Sequence, residues 1–141
     1  MKLTEAHIQQ TCTEFLALDG WRALRTDPVS DRFRGKGFGE KGMADYLYIR
    51  YPEPQEWGDS WPQVESLTPI RVKAMVMVMW IEWKRVREGR KVATKAALNQ
   101  TAWHASERAR GALTLIAGVD FPASIEGFQE FYRKSGLARR V

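Results

Sequence analysis

Cysteine is all but missing from this chain. A single residue, Cys12, rules out an internal disulfide and any cysteine-rich zinc site. It falls within a helical pattern, where a lone thiol serves as a small buried filler. Histidine is nearly as scarce, with two residues, and His7 has no companion to suggest a functional pair. Long hydrophobic runs are missing too. The most apolar stretch, Ala74 to Ile81, is too short to cross a bilayer as a helix, and the opening residues lead into polar chain rather than an apolar leader. A cytoplasmic protein with no membrane role is the expectation. There is no internal repeat and no low-complexity tract.

What is present suffices for one domain spanning 1–141 around one core. Hydrophobic residues make up 44% of the 141, six tryptophans among them. Charged residues, at 28%, are ordinary for a folded soluble protein. The formal net charge of +5 suits a polyanionic partner, although a merely soluble basic protein fits the same balance.

Hydrophobic spacing lays out the elements. Thr4 caps a first helix running to Leu18, with Ile8, Cys12, Phe15 and Leu16 as its apolar stripe and Gly20 as its end. Trp21 to Thr26 reads as a short strand. Asp27 to Gly42, rich in glycine, is a loop offering Arg32, Arg34, Lys36 and Lys41 to phosphates. Met43 to Tyr51 is a second strand stopped by Pro52. The proline-rich segment 53–69 is an insertion that carries Trp57 and Trp61. Ile70 to Lys84 is the longest strand; its centre is apolar on both parities, as in a central strand covered on both faces. Arg85 to Lys91 makes a basic turn.

A second helix is expected over Val92 to Arg108. Leu98, Ala102, Ala105 and Ala109 share one face, and Gln100, Trp103, His104 and Glu107 another. Ala112 to Val119 holds a short strand. Ser124 caps a last helix with Ile125, Phe128, Phe131 and Tyr132 inward and Gly136 at its end. The basic tail, Arg133-Lys134 and Arg139-Arg140, reads as solvated. The order is α-β-β-β-α-β-α.

Chemistry concentrates at the ends of two strands. Glu82 and Lys84, two positions apart in extended chain, point to the same face about 6–7 Å apart. Gly42-Met-Ala-Asp45 brings a second acid to the start of an earlier strand. A surface ion pair at Glu82-Lys84 and a turn acid at Asp45 are the plain readings of each alone. Together they form a set of oxygen donors for one hard cation, Mg2+ or Mn2+, to which the Trp83 backbone carbonyl could add. Lys84 then has two candidate roles: stabilising charge on a scissile phosphate, or positioning and polarising the attacking water. Glu14 could approach from the first helix, off its apolar stripe. Gln100 could steady Lys84, a water or a phosphate, and His104, one turn later, is a candidate DNA contact.

These pieces resemble the PD-(D/E)xK nuclease superfamily and, within it, the virus-type replication-repair nuclease family, VRR-NUC. The resemblance is carried by Glu14, Gly42-Met-Ala-Asp45, Ile81-Glu-Trp-Lys84 and Gln100-Thr-Ala-Trp103, across roughly residues 8 to 119. It implies a restriction-endonuclease-like α/β core, a mixed central sheet flanked by helices. It further implies Mg2+-dependent hydrolysis of DNA phosphodiesters, with Mn2+ as a substitute. The expected products carry a 5′-phosphate and a 3′-hydroxyl. Branched DNA such as four-way (Holliday) junctions or flaps is the implied substrate, and a homodimer the implied assembly. Asp45 and Glu82 would hold the ion, Lys84 would support developing negative charge, and Gln100 and Glu14 would sit behind them. Arg85, Arg87, Arg90, Lys91 and Lys95 join the loop cations as candidate backbone contacts that specify no sequence. The chain departs from the family in having Met-Ala before Asp45, where many relatives have a proline directly before the acid, and in the long 53–69 insertion.

Two rivals from other classes remain open on the sequence. One is a noncatalytic nucleic-acid-binding protein on the same scaffold, supported by the basic loop and tail. The other is a structural dimer module using Trp57 and Trp61.

Overall fold

The structure is a computed structural model that describes residues 3–26, 42–52, 76–84 and 95–141. Among the described residues, four strands and three helices follow in the expected order: α1 (Glu5–Leu18), β1 (Trp21–Arg25), β2 (Tyr46–Arg50), β3 (Met77–Glu82), α2 (Lys95–Ala109), β4 (Leu113–Ile116) and α3 (Ile125–Lys134). The strands form one mixed sheet in the order β1-β2-β3-β4. β1 and β3 both run antiparallel to β2, and β4 lies parallel to β3. A parallel neighbour requires a crossover, and α2 supplies it.

Local chemistry sets the ends of these elements. The Thr4 hydroxyl accepts the His7 N–H at 3.2 Å, satisfying one of the donors that a helix start leaves open. Ser124 does the same for α3, accepting the Gly127 N–H at 3.0 Å. Gly20, at φ +86°, makes the left-handed turn from α1 into β1. In β2, the expected strand from Met43 to Tyr51 narrows to Tyr46–Arg50, because Gly42 turns the chain at positive φ and Pro52 has no N–H to pair. Residues 27–41, the 53–69 insertion, the first part of the Ile70 strand and the Arg85–Lys91 turn lie outside the described residues.

The two faces of the sheet are covered differently. Tyr48, Met79, Ile81, Trp83 and Leu115 face a core shared with Ile8, Cys12, Phe15 and Leu16 of α1 and Phe128 and Tyr132 of α3. Trp83 lies at its centre, edge-on to Phe128 at 5.0 Å and to Phe121 at 5.8 Å. The opposite face is covered unevenly, unlike the evenly buried central strand expected from sequence. Trp80 meets Trp103 of α2 edge-on at 5.1 Å, whereas Val76 and Val78 are exposed. α2 also shows which of its faces turns inward: Trp103 and His104 are buried, and Leu98 is 61% exposed.

The C-terminal tail is tied down at its backbone rather than simply solvated. Asp19, buried at the end of α1, accepts the N–H groups of Arg139 at 3.0 Å and Arg140 at 2.6 Å. It also pairs with the buried Arg50 guanidinium at 3.0 Å and accepts a hydrogen bond from the Tyr132 hydroxyl. Burial alone would raise its pKa, but the donors from Tyr132, Arg139 and Arg140 and the Arg50 charge together hold its carboxyl below the usual range.

Candidate functional site

β2 and β3 pair with Tyr46 opposite Ile81. Continuing that antiparallel register by one residue brings Asp45 opposite Glu82. The backbone N–H of Asp45 donates to Glu82 Oε2 at 3.3 Å. The Asp45 backbone and the Glu82 carboxylate, 37 residues apart in sequence, therefore meet across neighbouring strands.

Glu82 is 2% exposed, and its carboxylate is enclosed by donors. Gln100 of α2 donates Nε2–H to Oε1 at 2.6 Å. The Lys84 ammonium lies 2.9 Å from the same oxygen and donates to Gln100 Oε1 at 2.8 Å. Carboxylate, ammonium and amide thus close a triangle in which the orientation of the Gln100 amide is fixed by charge at both ends. Without these partners, burying the carboxylate would be prohibitive. The Lys84 side chain is 40% exposed, so the triangle has one face in water, where a substrate could meet the ammonium.

The neighbouring residues hold this group in place. Trp83, between the two charged residues, points to the other face of the sheet and donates Nε1–H to Tyr48 at 2.9 Å. Tyr48 shares a 2.8 Å hydrogen bond with Thr13 of α1. The alternation of a strand then forces Glu82 and Lys84 together onto the α2 side. The Asp45 strand entry is held from β1: Thr26 N–H donates to the Asp45 carbonyl at 2.9 Å, and the Thr26 hydroxyl donates to the Ala44 carbonyl.

Gly42 passes so close to α2 that a Cβ there would collide with the backbone of Asn99 and Gln100, and its φ is +81°. Without a Cβ at Gly42, the segment leading to Asp45 can rest on the helix that carries Gln100. Thr26 carried no sequence signal beyond ending a strand. Gly42 did carry one, as the glycine that opens the Gly-Met-Ala-Asp segment.

The other expected site residues divide. Glu14 is exposed and accepts from Gln10 one turn earlier at 3.1 Å. It lies on the flank of α1 away from the buried stripe, and among the described residues no three acidic, histidine or cysteine side chains converge. The expected approach of Glu14 to the acid pair is therefore not part of this arrangement. His104, expected as a DNA contact, is 1% exposed and points inward. Lys95 is exposed at the start of α2. Arg32, Arg34, Lys36, Lys41, Arg85, Arg87, Arg90 and Lys91, with Trp57 and Trp61, lie outside the described residues. No helix among the described residues is long and apolar enough to cross a membrane.

Compared with known proteins, the chain matches no family model, no curated protein and no solved structure.

Proposed function

We propose that the chain is a metal-dependent DNA endonuclease. The observation that carries this reading is the meeting of the Glu82 carboxylate with Lys84, Gln100 and the Asp45 backbone N–H, with the ammonium at the solvent edge. A buried acid that only stabilised the fold would need partners, but not a cation open to water at a strand end next to a second acidic residue.

The donor set fits a hard divalent ion. Mg2+ is commonly held by one or two carboxylates, with water and substrate phosphate completing its shell. Asp45 and Glu82 supply two carboxylates without sulfur or imidazole, and the Trp83 carbonyl is a further oxygen at the strand end. The ion would supply charge stabilisation at phosphorus and a more acidic water. The rest of the work falls to the chain. Gln100 holds Glu82 and Lys84 in fixed relative orientation. Lys84 directs its ammonium at charge developing on the phosphate, and the buried wall around Glu82 keeps competing water from that carboxylate. The selection of branched DNA and a homodimeric assembly follow from the family resemblance and belong to the same proposal.

The experiment incubates the purified chain with linear, nicked, flap and four-way DNA, adding Mg2+, Mn2+ or chelator. Glu82→Gln and Lys84→Ala run in parallel, with binding measured separately. Cleavage that needs the ion and is lost in both variants while binding persists supports the reading. Binding without cleavage under every condition would assign the chain to the noncatalytic scaffold instead.

A further inference from the structure

His104 is the buried group that the proposed chemistry leaves unused. It sits one turn after Gln100 on the inward face of α2 and is 1% exposed. Among the described residues neither ring nitrogen has a hydrogen-bond partner. The Thr114 hydroxyl on β4 is buried and equally unpartnered. These two orphans belong to facing elements, since α2 packs on β4. Arg108, one turn beyond His104, reaches the Thr114 carbonyl at 2.9 Å and the Asp120 carboxylate at 2.7 Å. Thr114 in turn registers opposite Trp80, whose ring meets Trp103.

Orphaned polar atoms on both sides of a packed seam are uncommon in folded proteins, because each loses its water without replacement. The capacities here are complementary. A neutral imidazole offers one donor and one acceptor, and a threonine hydroxyl offers both. Three charged groups act on the ring: Arg108 from its own helix, Asp120 from beyond β4, and Lys84 from the end of β3. Burial first, then the Arg108 and Lys84 charges, favour the neutral ring over the opposing pull of Asp120.

We propose that His104 is a positioning residue, linked to Thr114 through one internal water, that sets how α2 presents Gln100 to Glu82 and Lys84. An internal water is the usual answer to buried polar atoms left without a protein partner. The seam then fixes the rotation of α2 one turn from Gln100, where a small error would open the 2.6 Å contact with Glu82. The ring acts through α2 and touches no substrate.

The proposal rests on the nuclease reading only for its rate measurement, so the first test needs no activity. The chain has two histidines, and exposed His7 serves as internal reference in long-range proton–nitrogen spectra of the full protein. At pH 7 His104 should show one neutral tautomer whose ring N–H exchanges slowly. Thr114→Val, close to isosteric, should remove that protection and shift the Gln100 side-chain amide signals. His104→Gln, which keeps a donor and an acceptor at that position, should shift the Gln100 signals less than Thr114→Val does. If the His104 ring N–H exchanges as fast as that of His7, or if Thr114→Val leaves the Gln100 amide unmoved, the proposal fails. With cleavage established, Thr114→Val should lower kcat by about tenfold with KM unchanged. Full kcat in a folded Thr114→Val protein would also overturn it. Absence of cleavage in the wild type would sink the nuclease reading while leaving the spectroscopic result to judge this one.

Discussion

Gln100 Nε2 lies 2.6 Å from Glu82 Oε1, although 18 residues and the crossover from β3 to α2 separate the two in the chain. The other end of the same amide accepts from Lys84. Truncation should therefore loosen two charged groups at once. On the proposed nuclease reading, Gln100→Ala is expected to lower the cleavage rate by about 10–100-fold, with DNA affinity nearly unchanged. Glu82→Gln should cost more, about 1,000-fold or beyond, because it removes the charge of a carboxylate proposed to hold the ion. Its thermal midpoint should also fall, because one end of the new amide sets a donor against a donor in a site that is 2% exposed. Single-turnover kinetics with separate binding titrations checks both. Equal rates for Gln100→Ala and wild type would remove Gln100 from the site.

Gly42 and Gly111 offer a matched comparison. Both have positive φ, +81° and +93°, but a Cβ at Gly42 would strike the α2 backbone, whereas nothing lies within 4 Å of one at Gly111. Gly111→Ala should cost only the left-handed strain, about 1 kcal/mol. Gly42→Ala adds a backbone collision that must push Asp45 or α2 aside, and should cost at least about 2 kcal/mol more. It should also abolish cleavage at temperatures where the protein remains folded. Urea unfolding of both variants and an activity assay of Gly42→Ala settle the comparison. Equal stability losses would mean that the segment bearing Asp45 does not depend on its approach to α2.

Much of this fold could be read from the chain because the local signals agreed with one another. Thr4 and Ser124 are capping residues followed by apolar periodicity, and both helices begin where expected. The shared face of Glu82 and Lys84 was legible because a two-residue period fixes which side chains lie together. What was not legible depended on contacts between distant segments. Glu14 and His104 sit on helices whose rotation is set by packing rather than by their own pattern. In α2 the expected faces were correct, but the more polar one turned inward, because Trp80 takes Trp103 and Glu82 takes Gln100. The tail looked solvated because its anchors are backbone N–H groups, which no side-chain pattern reveals.

Acid should reveal the Asp19 anchor. Its carboxyl is held below the ordinary range in the folded chain, so its stabilising contribution is complete at neutral pH. That contribution is lost as pH falls through about 4, the ordinary value for aspartate, toward the folded one. Asp19→Asn removes it at every pH and strips a buried arginine of its counter-charge. The variant should lose about 3 kcal/mol at pH 7. The gap to wild type should shrink steadily at lower pH, because the wild-type carboxyl is then protonated too. Denaturant titrations at pH 7 and at acid pH measure the gap; a constant difference would show that the charge of Asp19 contributes nothing.

Cys12 behaves oppositely, since burial, reinforced by the Glu126 charge, pushes its thiol up to about 12. Thiolate is the reactive form, so the native protein should resist alkylation near pH 8 and react promptly once denatured. A group whose folded value is raised contributes stability below its unfolded value and loses it as pH climbs. Folding should therefore weaken above about pH 8.5, the ordinary thiol range. Cys12→Ala should remove that alkaline loss from Cys12, at a stability cost set by the small cavity it leaves between α1 and the sheet. Pulsed alkylation followed by mass measurement, with and without denaturant, reads the reactivity directly. Rapid labelling of the folded chain would mean that α1 opens locally and exposes the face that packs on the sheet.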